Sequence, residues 1–484
     1  MLVRVAAITM ATDAAGTTQT KYFSDGAGWL TGAADTPATT YIEPRLRSAS
    51  TYARSMFAGR SLFGAQQSSY GTLALSNTDG VLDAWLDYGF DGRAVSVYVG
   101  EEGAAFPSAF TKCFTTEALR AVIGLERVDL VLRDPMQALN QPVVRNRFAG
   151  TGGLEGPATL EDQPKPRALG TTWFTPAILV DAVKHIYFVC EEATNGAFEK
   201  CYDGGVEITK GATYTTTVDL LATAPSAGQC RFYRAGPTYV RLESAPTFGV
   251  SVDRDSLYVA SYISILAAEA GLTLHPTYQA GAMGAYVADA RTTYLEVCTR
   301  ESMQRPLWFG VDKDGLFVVR SIADPAPGPG VATITSHDLL AITRTAPDGV
   351  DVPIYRVTMR GDRNHSAGTT ASSAAVDVFR VPYQSATLNE DGAVLAKHPS
   401  AGELSIEIGA GTGAYGAAHL ALHGVDRDVF VCALDLLPEW LELDLGDVVT
   451  LTHYRMGLSA GRNLLIIGIT VDFGARQIVF SLWG

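Results

Sequence analysis

The sequence has few positive charges, few cysteines and no long apolar run. Its 37 Lys and Arg stand against 51 Asp and Glu, a net charge of −14. A chain this acidic is a poor candidate for holding DNA by neutralising phosphates. The longest apolar stretches, 257–268 and 464–469, are shorter than the ~20 residues that span a bilayer. Since the N-terminal residues also lack a secretory pattern, we expect neither a membrane-spanning segment nor secretion.

The six cysteines include no Cys-x-x-Cys pair, which argues against a zinc ribbon or a redox dithiol. Cys190, Cys201 and Cys230 lie closest together in the chain and are a weak candidate for a metal or cluster site. The alternative is that they are buried, reduced thiols. The spacing favours the thiols, and we expect no metal and no cofactor.

What the sequence does contain favours β-structure. Of its 484 residues, 47% are hydrophobic and 18% charged, which fits a globular chain with sizeable cores. At roughly 100–200 residues per domain, three or four domains are expected. The 20 Tyr and 19 Phe favour strands, and the 48 Gly and 22 Pro favour turns. We predict a mainly β, multi-domain fold with a small α+β part, built from β-barrel or sandwich domains with inserted modules.

Two segments rich in Gly and Pro, 150–166 and 324–330, suggest domain boundaries. The predicted domains are an N-terminal β-rich domain at 1–165, a small β module at 166–250, an α+β module at 251–345 and a C-terminal β-barrel-like domain at 346–484.

Local patterns predict several elements of the two modules. In the β module we expect strands at 186–190, 199–202, 213–218, 231–234 and 239–242. In the α+β module, apolar spacing predicts a helix that begins near Asp255 and ends at Gly271. A capping box at Thr293 and Glu296 predicts a second helix, and Asp312–Gly315 predicts the turn of a hairpin.

Two strings match catalytic motifs, and their surroundings argue against both. Residues 411–416 match Gly-x-Gly-x-x-Gly, but no repeated βαβ unit follows, which disfavours an oxidoreductase. Residues 457–461 match Gly-x-Ser-x-Gly, but a strand-like run follows where a nucleophile elbow needs a helix. The second string is typical of a hairpin loop.

The candidate metal-ligating histidines and the candidate catalytic acids do not identify a site either. His419 and His423 are spaced to share one helix face, but no Glu lies between them in the zinc-protease order, so a packed or surface pair is favoured. Three groups of carboxylates could serve a glycosidase, whose two acids meet only in space. The groups are Asp79 with Asp83, Asp426 with Asp428, and Glu439 with Glu442 and Asp444. No feature selects one group over the others, so we assign no catalytic residue.

Several turn-and-strand strings resemble the baseplate hub or tail-tip proteins of long-tailed, siphovirus-like bacteriophages and gene transfer agents. The strings are YGTLALSNTDGVLD at 70–83, YGFDGR at 88–93, KPRALG at 165–170 with Thr175-Pro176, YDGG at 202–205, GPTYVRL at 236–242, LDLGDVVTLT at 443–452 and FSLWG at 480–484. Together they touch most of the chain.

The resemblance implies a structural protein of the virion, made in the host cytoplasm. Such hubs form a ring, usually a homotrimer, between the hexameric distal tail ring and the central fibre or spike, with the tape measure protein as a further partner. Two tail-tube-like barrels per subunit would mimic six-fold symmetry from three chains, and 1–165 and 346–484 are the candidates here. DNA would only pass through the lumen, and an acidic lining would repel it.

Two alternatives stay open. One is the hexameric distal tail protein. The other is a multi-module β-protein that binds or cleaves host surface glycan, for which the β module offers aromatic residues as sugar contacts: Tyr187, Tyr202, Tyr214 and Tyr239. Tyr in strands more often packs than stacks on sugar, so the resemblance to a non-enzymatic hub is preferred.

Overall fold

The computed structural model describes residues 2–48, 51–56, 63–194, 199–255, 262–277, 284–325, 328–345, 353–409 and 415–484. These residues fold mainly into β-strands, arranged in several sheets with a few short helices. The prediction of a mainly β fold with barrel-like sheets is confirmed. No helix in these described ranges is long and apolar enough to cross a membrane.

The strands have the following bounds in chain order: Leu2–Ala11, Thr18–Ser24, Trp29–Leu30, Tyr41–Ile42, Leu46–Ser48, Tyr52–Ser55, Gly64–Ala65, Gln67–Ser69, Thr72–Ser76, Arg93–Glu101, Phe110–Ile123, Arg127–Arg133, Arg167–Leu169, Thr172–Pro176, Ile178–Asp181, Ile186–Cys190, Lys200–Asp203, Val206–Lys210, Gln229–Tyr233, Thr238–Leu242, Val250–Arg254, Ala285–Val287, Leu307–Val311, Phe317–Ser321, Ala332–Ile334, Leu339–Thr345, Ile354–Arg363, Tyr383–Glu390, Gly402–Glu407, Val429–Asp435, Val448–Leu451, Arg462–Asp472 and Gln477–Trp483.

The α-helices are Thr217–Ala222, Tyr262–Glu269, Tyr294–Ser302, Gly392–Lys397, Gly416–His423 and Pro438–Leu441. Short 3₁₀ helices cover Val81–Asp87, Pro135–Asn140, Gly153–Glu155, Ala158–Leu160 and Asp377–Arg380.

A seven-stranded sheet near the N-terminus forms what we call the first barrel. Alternating residues of its strand Arg93–Glu101, including Val95 and Val97, are buried, as expected for a strand with one face on the core. The strand order in the sheet is Thr18–Ser24, Leu2–Ala11, Arg93–Glu101, Phe110–Ile123, Arg127–Arg133, Thr72–Ser76 and Leu46–Ser48.

A second sheet, the second barrel, is built mostly from C-terminal strands. Tyr52–Ser55 joins this sheet from far upstream by pairing with Arg462–Asp472. The two barrels share one apolar core, in which Val97 and Phe114 lie in the same buried cluster as Ile466 and Phe480. The main strand order is Ala332–Ile334, Val448–Leu451, Arg462–Asp472, Gln477–Trp483, Val429–Asp435 and Leu339–Thr345.

The β module forms an eight-stranded sheet from Thr172 to Arg254. Four of its predicted strands are confirmed to within two residues at each end, and the strand predicted at 213–218 is wrong. The Thr216 side chain there accepts a hydrogen bond from the Asp219 N–H at 3.0 Å and caps the helix Thr217–Ala222. Thr at such a position satisfies an N–H that the helix itself leaves unpaired.

The α+β module follows its local signals. The capping box is present, with the Thr293 N–H donating to Glu296 at 2.8 Å and the Glu296 N–H donating to Thr293 at 3.2 Å. The predicted hairpin joins Leu307–Val311 to Phe317–Ser321. The helix predicted from Asp255 is described from Tyr262 to Glu269, and residues 256–261 lie outside the described ranges.

A three-stranded sheet is inserted before the last strands of the second barrel. Ile354–Arg363 is its central strand, and the helix Gly416–His423 packs against it. The sheets cross the predicted domain limits, since Leu339–Thr345 belongs to the second barrel and Val250–Arg254 continues past residue 250. The four-part division stays a prediction.

Candidate interaction surfaces

Each barrel contains a four-stranded antiparallel unit of the same Greek-key order, which we call its meander because the second, third and fourth strands follow one another as hairpins. In both meanders the strands lie in the sheet in the order second, third, fourth, first, and a short helix joins the first strand to the second. The first meander consists of Thr72–Ser76, Arg93–Glu101, Phe110–Ile123 and Arg127–Arg133, and the second of Val429–Asp435, Val448–Leu451, Arg462–Asp472 and Gln477–Trp483.

The two meanders also share individual backbone hydrogen bonds. Gly92 and Gly446 precede the second strands, and both have a positive φ, 68° and 89°, a conformation that glycine adopts at little cost. The Gly92 N–H donates to the Ala118 carbonyl at 3.0 Å, and the Gly446 N–H donates to the Ile466 carbonyl at 2.9 Å. The two meanders therefore hold their second and third strands together in the same way.

A β-bulge follows each of these acceptors. The register between third and fourth strands shifts across Leu119 in the first meander and across Ile467 in the second. Bulges bend a strand and increase its twist at a defined point. Residues 120–123 of the first meander are thus equivalent to 468–471 of the second.

The sequence did not reveal this repeat, because the residues of the two meanders agree at only a few positions. Each joining helix carries one buried tryptophan, Trp85 or Trp440. Each second strand is preceded by a glycine and then alternates buried aliphatic residues, as at Val449 and Leu451. Comparing these two patterns would have revealed the repeat.

The barrels meet where Tyr52–Ser55, which we call the bridging strand, pairs with the second meander. The pairing runs from Ser55 opposite Gly468 to Tyr52 opposite Val471. The fourth strand pairs with 468–471 on the opposite side. The bridging strand therefore lies on the same side of the third strand as Val448–Leu451, which pairs with the beginning of that strand.

Arg4 of the first barrel and Tyr52 of the bridging strand also cover the tip of this hairpin. Phe473 is only 2% exposed. The Arg4 guanidinium lies 5.7 Å from its ring centroid and donates to its carbonyl at 3.1 Å. The Tyr52 ring lies 6.3 Å away.

Arg54 on the bridging strand forms a buried ion pair with Asp444 of the second barrel. Its side chain is 1% exposed, and it also donates to the Val311 carbonyl at 3.1 Å. Burial alone would lower the pKa of Arg54, but the charge and hydrogen bond of Asp444, together with Tyr52 and Tyr70, more than offset this and raise it. The guanidinium therefore stays charged. It links the bridging strand to Asp444 and to the Val311 carbonyl.

A cavity of about 650 Å³ lies beside the bridging strand. Arg54, Asp134 and Gln66 are among its lining residues. Burial raises the pKa of Asp134 to about 6, while hydrogen bonds and the charge of Arg54 offset only part of that effect. The lining mixes donors, acceptors and both signs of charge, and it selects no single ligand class.

The segment 366–379, which precedes the C-terminal strands in the chain, packs against the β module. Phe379 is buried against Phe174, with ring centroids 5.1 Å apart. The Ser372 N–H donates to the Gly204 carbonyl at 2.9 Å, and the Val376 N–H donates to the Gly205 carbonyl at 3.1 Å. Apolar contact and backbone hydrogen bonds together hold the module in place.

The four tyrosines proposed as sugar contacts are all buried. Tyr214 and Tyr239 lie in one apolar cluster, whereas Tyr187 and Tyr202 each lie in a different one. The Tyr202 hydroxyl donates to Asp253 at 2.6 Å. A sugar could stack on these rings only if they became exposed, and their role in glycan binding stays a prediction.

Cys190, Cys201 and Cys230 are buried, reduced and packed in one apolar cluster. Burial raises the pKa of Cys190 to about 11, so that side chain is a neutral thiol at physiological pH. Within the described ranges, no three His, Cys, Asp or Glu side chains are grouped as metal ligands would be.

The motif strings have local explanations where the structure describes them. Residues 457–461 connect Val448–Leu451 to Arg462–Asp472, so the predicted hairpin loop is confirmed. Residues 411–414 of the Gly-x-Gly-x-x-Gly string lie outside the described ranges. His419 and His423 are buried on the helix Gly416–His423 with their rings stacked, 5.9 Å between centroids.

The carboxylate groups noted in the sequence contain members of ion pairs. Asp79 lies 2.7 Å from Arg45, and Asp428 lies 2.9 Å from Arg462. Asp444 holds Arg54, as described above. These acids stabilise turns and strand ends.

No family model and no curated protein matches the chain. Among solved structures, it is similar to a 43 kDa tail protein of prophage MuSo2 from Shewanella oneidensis, with 11% identity and a TM-score of 0.42 over 99% of this chain and 96% of that one. A tail protein from Neisseria meningitidis MC58 matches with 10% identity and a TM-score of 0.43 over 99% and 96%. A virion of a native gene transfer agent particle matches with 15% identity and a TM-score of 0.44 over 67% and 84%.

Proposed function

We propose that the chain is a structural subunit of the tail tip of a long-tailed phage or gene transfer agent, and that three copies form a hub ring. The repeated meander carries this proposal. A ring of three chains with two alike barrels each would present six alike barrels. Such a ring could sit against a six-fold neighbour although it has only three-fold symmetry.

The junction between the barrels supports a rigid subunit. The barrels share one apolar core and are joined by the bridging strand and the Arg54–Asp444 pair. Because separating them would expose that core and leave a buried charge unpaired, the two barrels should keep a fixed spacing. A fixed spacing is what a symmetry adaptor needs.

In this role the protein is not an enzyme and acts through its contacts. Its neighbours would be the distal tail ring, the tape measure protein and the central fibre or spike, in the assembled virion. The net charge of −14 suits a lumen through which DNA passes during ejection without adhering. The β module lies outside the repeated meanders and is the candidate for contacts near the host surface.

Light scattering of the purified protein over a range of concentrations tests the stoichiometry. We expect a mass near three times 51.5 kDa. A mass of six chains would contradict the hub and favour the distal tail ring. A mass of one chain at every concentration would contradict self-assembly into a ring.

A further inference from the structure

The second meander has an occupied strand edge immediately after its bulge. Residues 468–471 pair with the bridging strand there, and this pairing satisfies backbone groups that would otherwise face solvent. Phe473, at the tip of the same hairpin, is covered by Arg4 and Tyr52.

Among the described residues, the equivalent edge of the first meander has no partner strand. The second strand of that meander pairs with Phe110–Ile123 only as far as Ala118, opposite Arg93. Beyond that point 120–123 pair with the fourth strand on one side, and within the described ranges no strand pairs with the other side. Its residues are Arg-Ala-Val-Ile, so Arg120 carries the only charge on this stretch of edge and no Pro interrupts it.

Three aliphatic side chains at or beside this edge are also uncovered. Leu125 occupies the hairpin tip as Phe473 does, and it is 90% exposed where Phe473 is 2% exposed. Leu119 and Val122 are partly exposed beside it, at 41% and 49%. Exposed aliphatic residues grouped at one end of a strand pair are typical of a surface that another chain covers.

The bare tip is held in a defined shape. The buried Asn77 side chain donates to the Gly124 carbonyl at 3.0 Å and to Asp83 at 2.8 Å. The Asn77 N–H donates to the Glu126 carbonyl at 2.9 Å. Since the tip is already ordered, a partner strand would lose little free energy in fixing it.

We propose that the edge at 120–123 binds an extended strand of a second copy of this chain, with Leu125 covered by that copy. The occupant is inferred from the repeat, because the same edge of the second meander is filled by the bridging strand, whose neighbours in the chain, Leu46–Ser48 and Thr72–Ser76, belong to the other barrel. In a ring of such chains, each barrel has one neighbouring barrel in its own chain and one in the next chain. If the six barrels are alike, the contact between chains should resemble the contact within a chain. The inference rests on the proposed hub function and names the surface through which its ring closes.

The variant Leu125→Asp tests the surface. It places a charge where the second copy would bury an apolar side chain, and the side chain is too exposed for the change to disturb the fold. We expect the thermal unfolding midpoint of dissociated subunits to be unchanged and the concentration needed for assembly, measured by light scattering, to rise by about tenfold or more. Val183→Asp is the matched control, because Val183 is 89% exposed on the β module and should leave assembly unaltered.

The outcomes separate this inference from the proposed function. If the wild type forms trimers and Leu125→Asp forms them equally well, the edge is not the interface and the hub proposal stands. If the wild type forms dimers that Leu125→Asp abolishes, the edge binds a second copy and the ring of three is wrong. A wild type that stays monomeric overturns both.

Hydrogen exchange gives a second, independent measurement on the full chain. The amides of 120–123 that point away from the fourth strand should exchange at least about tenfold more slowly in the assembled wild type than in dissociated subunits, because carbonyls of a strand on this edge would accept hydrogen bonds from them. Equal exchange in both states would overturn strand addition even if Leu125 proves to be buried.

Discussion

Arg54 places a charge inside the contact between the barrels, and its loss should be costly. Arg54→Met would leave Asp444 without its cation and the Val311 carbonyl without a donor. Removing one member of a buried pair typically costs about 3–5 kcal/mol. We expect a loss of that order in the free energy of unfolding measured with denaturant.

A double-mutant cycle with Asp444→Asn separates the pair from its surroundings. The double variant should be less destabilised than the sum of the single variants, since each single change leaves the other charge unpaired. Arg356→Met is the control, because Arg356 forms its ion pairs at the surface and should cause little change. Additive losses in the cycle would refute the coupling.

His419 and His423 should make stability depend on pH. Burial lowers the pKa of both to about 4, and nearby carbonyls at Met303 and Gln304 offset only part of this for His419. The unfolded chain binds these protons near pH 6.5, so stability is full above that pH and falls as the pH drops towards 4. The loss would approach about 3 kcal/mol per histidine.

Denaturant unfolding from pH 7 to pH 4 checks this expectation. The double variant His419→Gln, His423→Gln should lose the fall in stability that the wild type shows towards pH 4, while the single variant His337→Gln, at an exposed position, should keep it. Buried acids such as Asp134, whose pKa is raised to about 6, have the opposite effect and remain in both variants. An identical pH profile for the wild type and the double variant would contradict the assignment.

Residue-level properties were the hardest to predict from the sequence. The sequence offered Tyr202 as a surface contact, yet its ring packs near Phe379, which lies far along the chain. Burial of this kind depends on how distant segments fold together, and strand periodicity does not report it. The absence of a Cys-x-x-Cys pair, in contrast, led to the expectation of buried thiols at Cys190, Cys201 and Cys230, and these side chains are buried without a disulfide.

At the scale of elements, local signals predicted what local interactions fix. The capping box at Thr293 and the hairpin turn at Asp312 are present because their hydrogen bonds join residues a few positions apart. The bridging strand could not be predicted, since Tyr52 pairs with Val471 across most of the chain. The strand predicted at 213–218 failed because the Thr216 cap outweighed the β-propensity of its neighbours.

The last strand should be indispensable for folding. Gln477–Trp483 pairs on both edges, and it buries Ile478, Phe480 and Leu482 in the shared core. Deleting 477–484 would open the sheet and remove these side chains, so we expect the truncated chain to be insoluble or unfolded by circular dichroism. Gln477→Ala, at the half-exposed start of the strand, is the control and should fold; a soluble truncated chain with cooperative unfolding would refute the prediction.

At the scale of the whole molecule, the repeat explains why so long a chain can act as one rigid part. Two meanders with the same strand order share a core, while the β module and the three-stranded sheet are additions outside the repeat. The sequence indicated barrels at both ends of the chain through a resemblance. It did not reveal their common design, because few residues are needed to specify a meander and most of its positions accept many side chains.

End-on electron microscopy of the assembled protein, with its mass measured on the same sample, tests the central claim most directly. We predict a ring with the mass of three chains and six alike lobes around its lumen, two from each chain. A ring of three chains with only three lobes would contradict the equivalence of the barrels. A ring with the mass of six chains would contradict the three-chain hub.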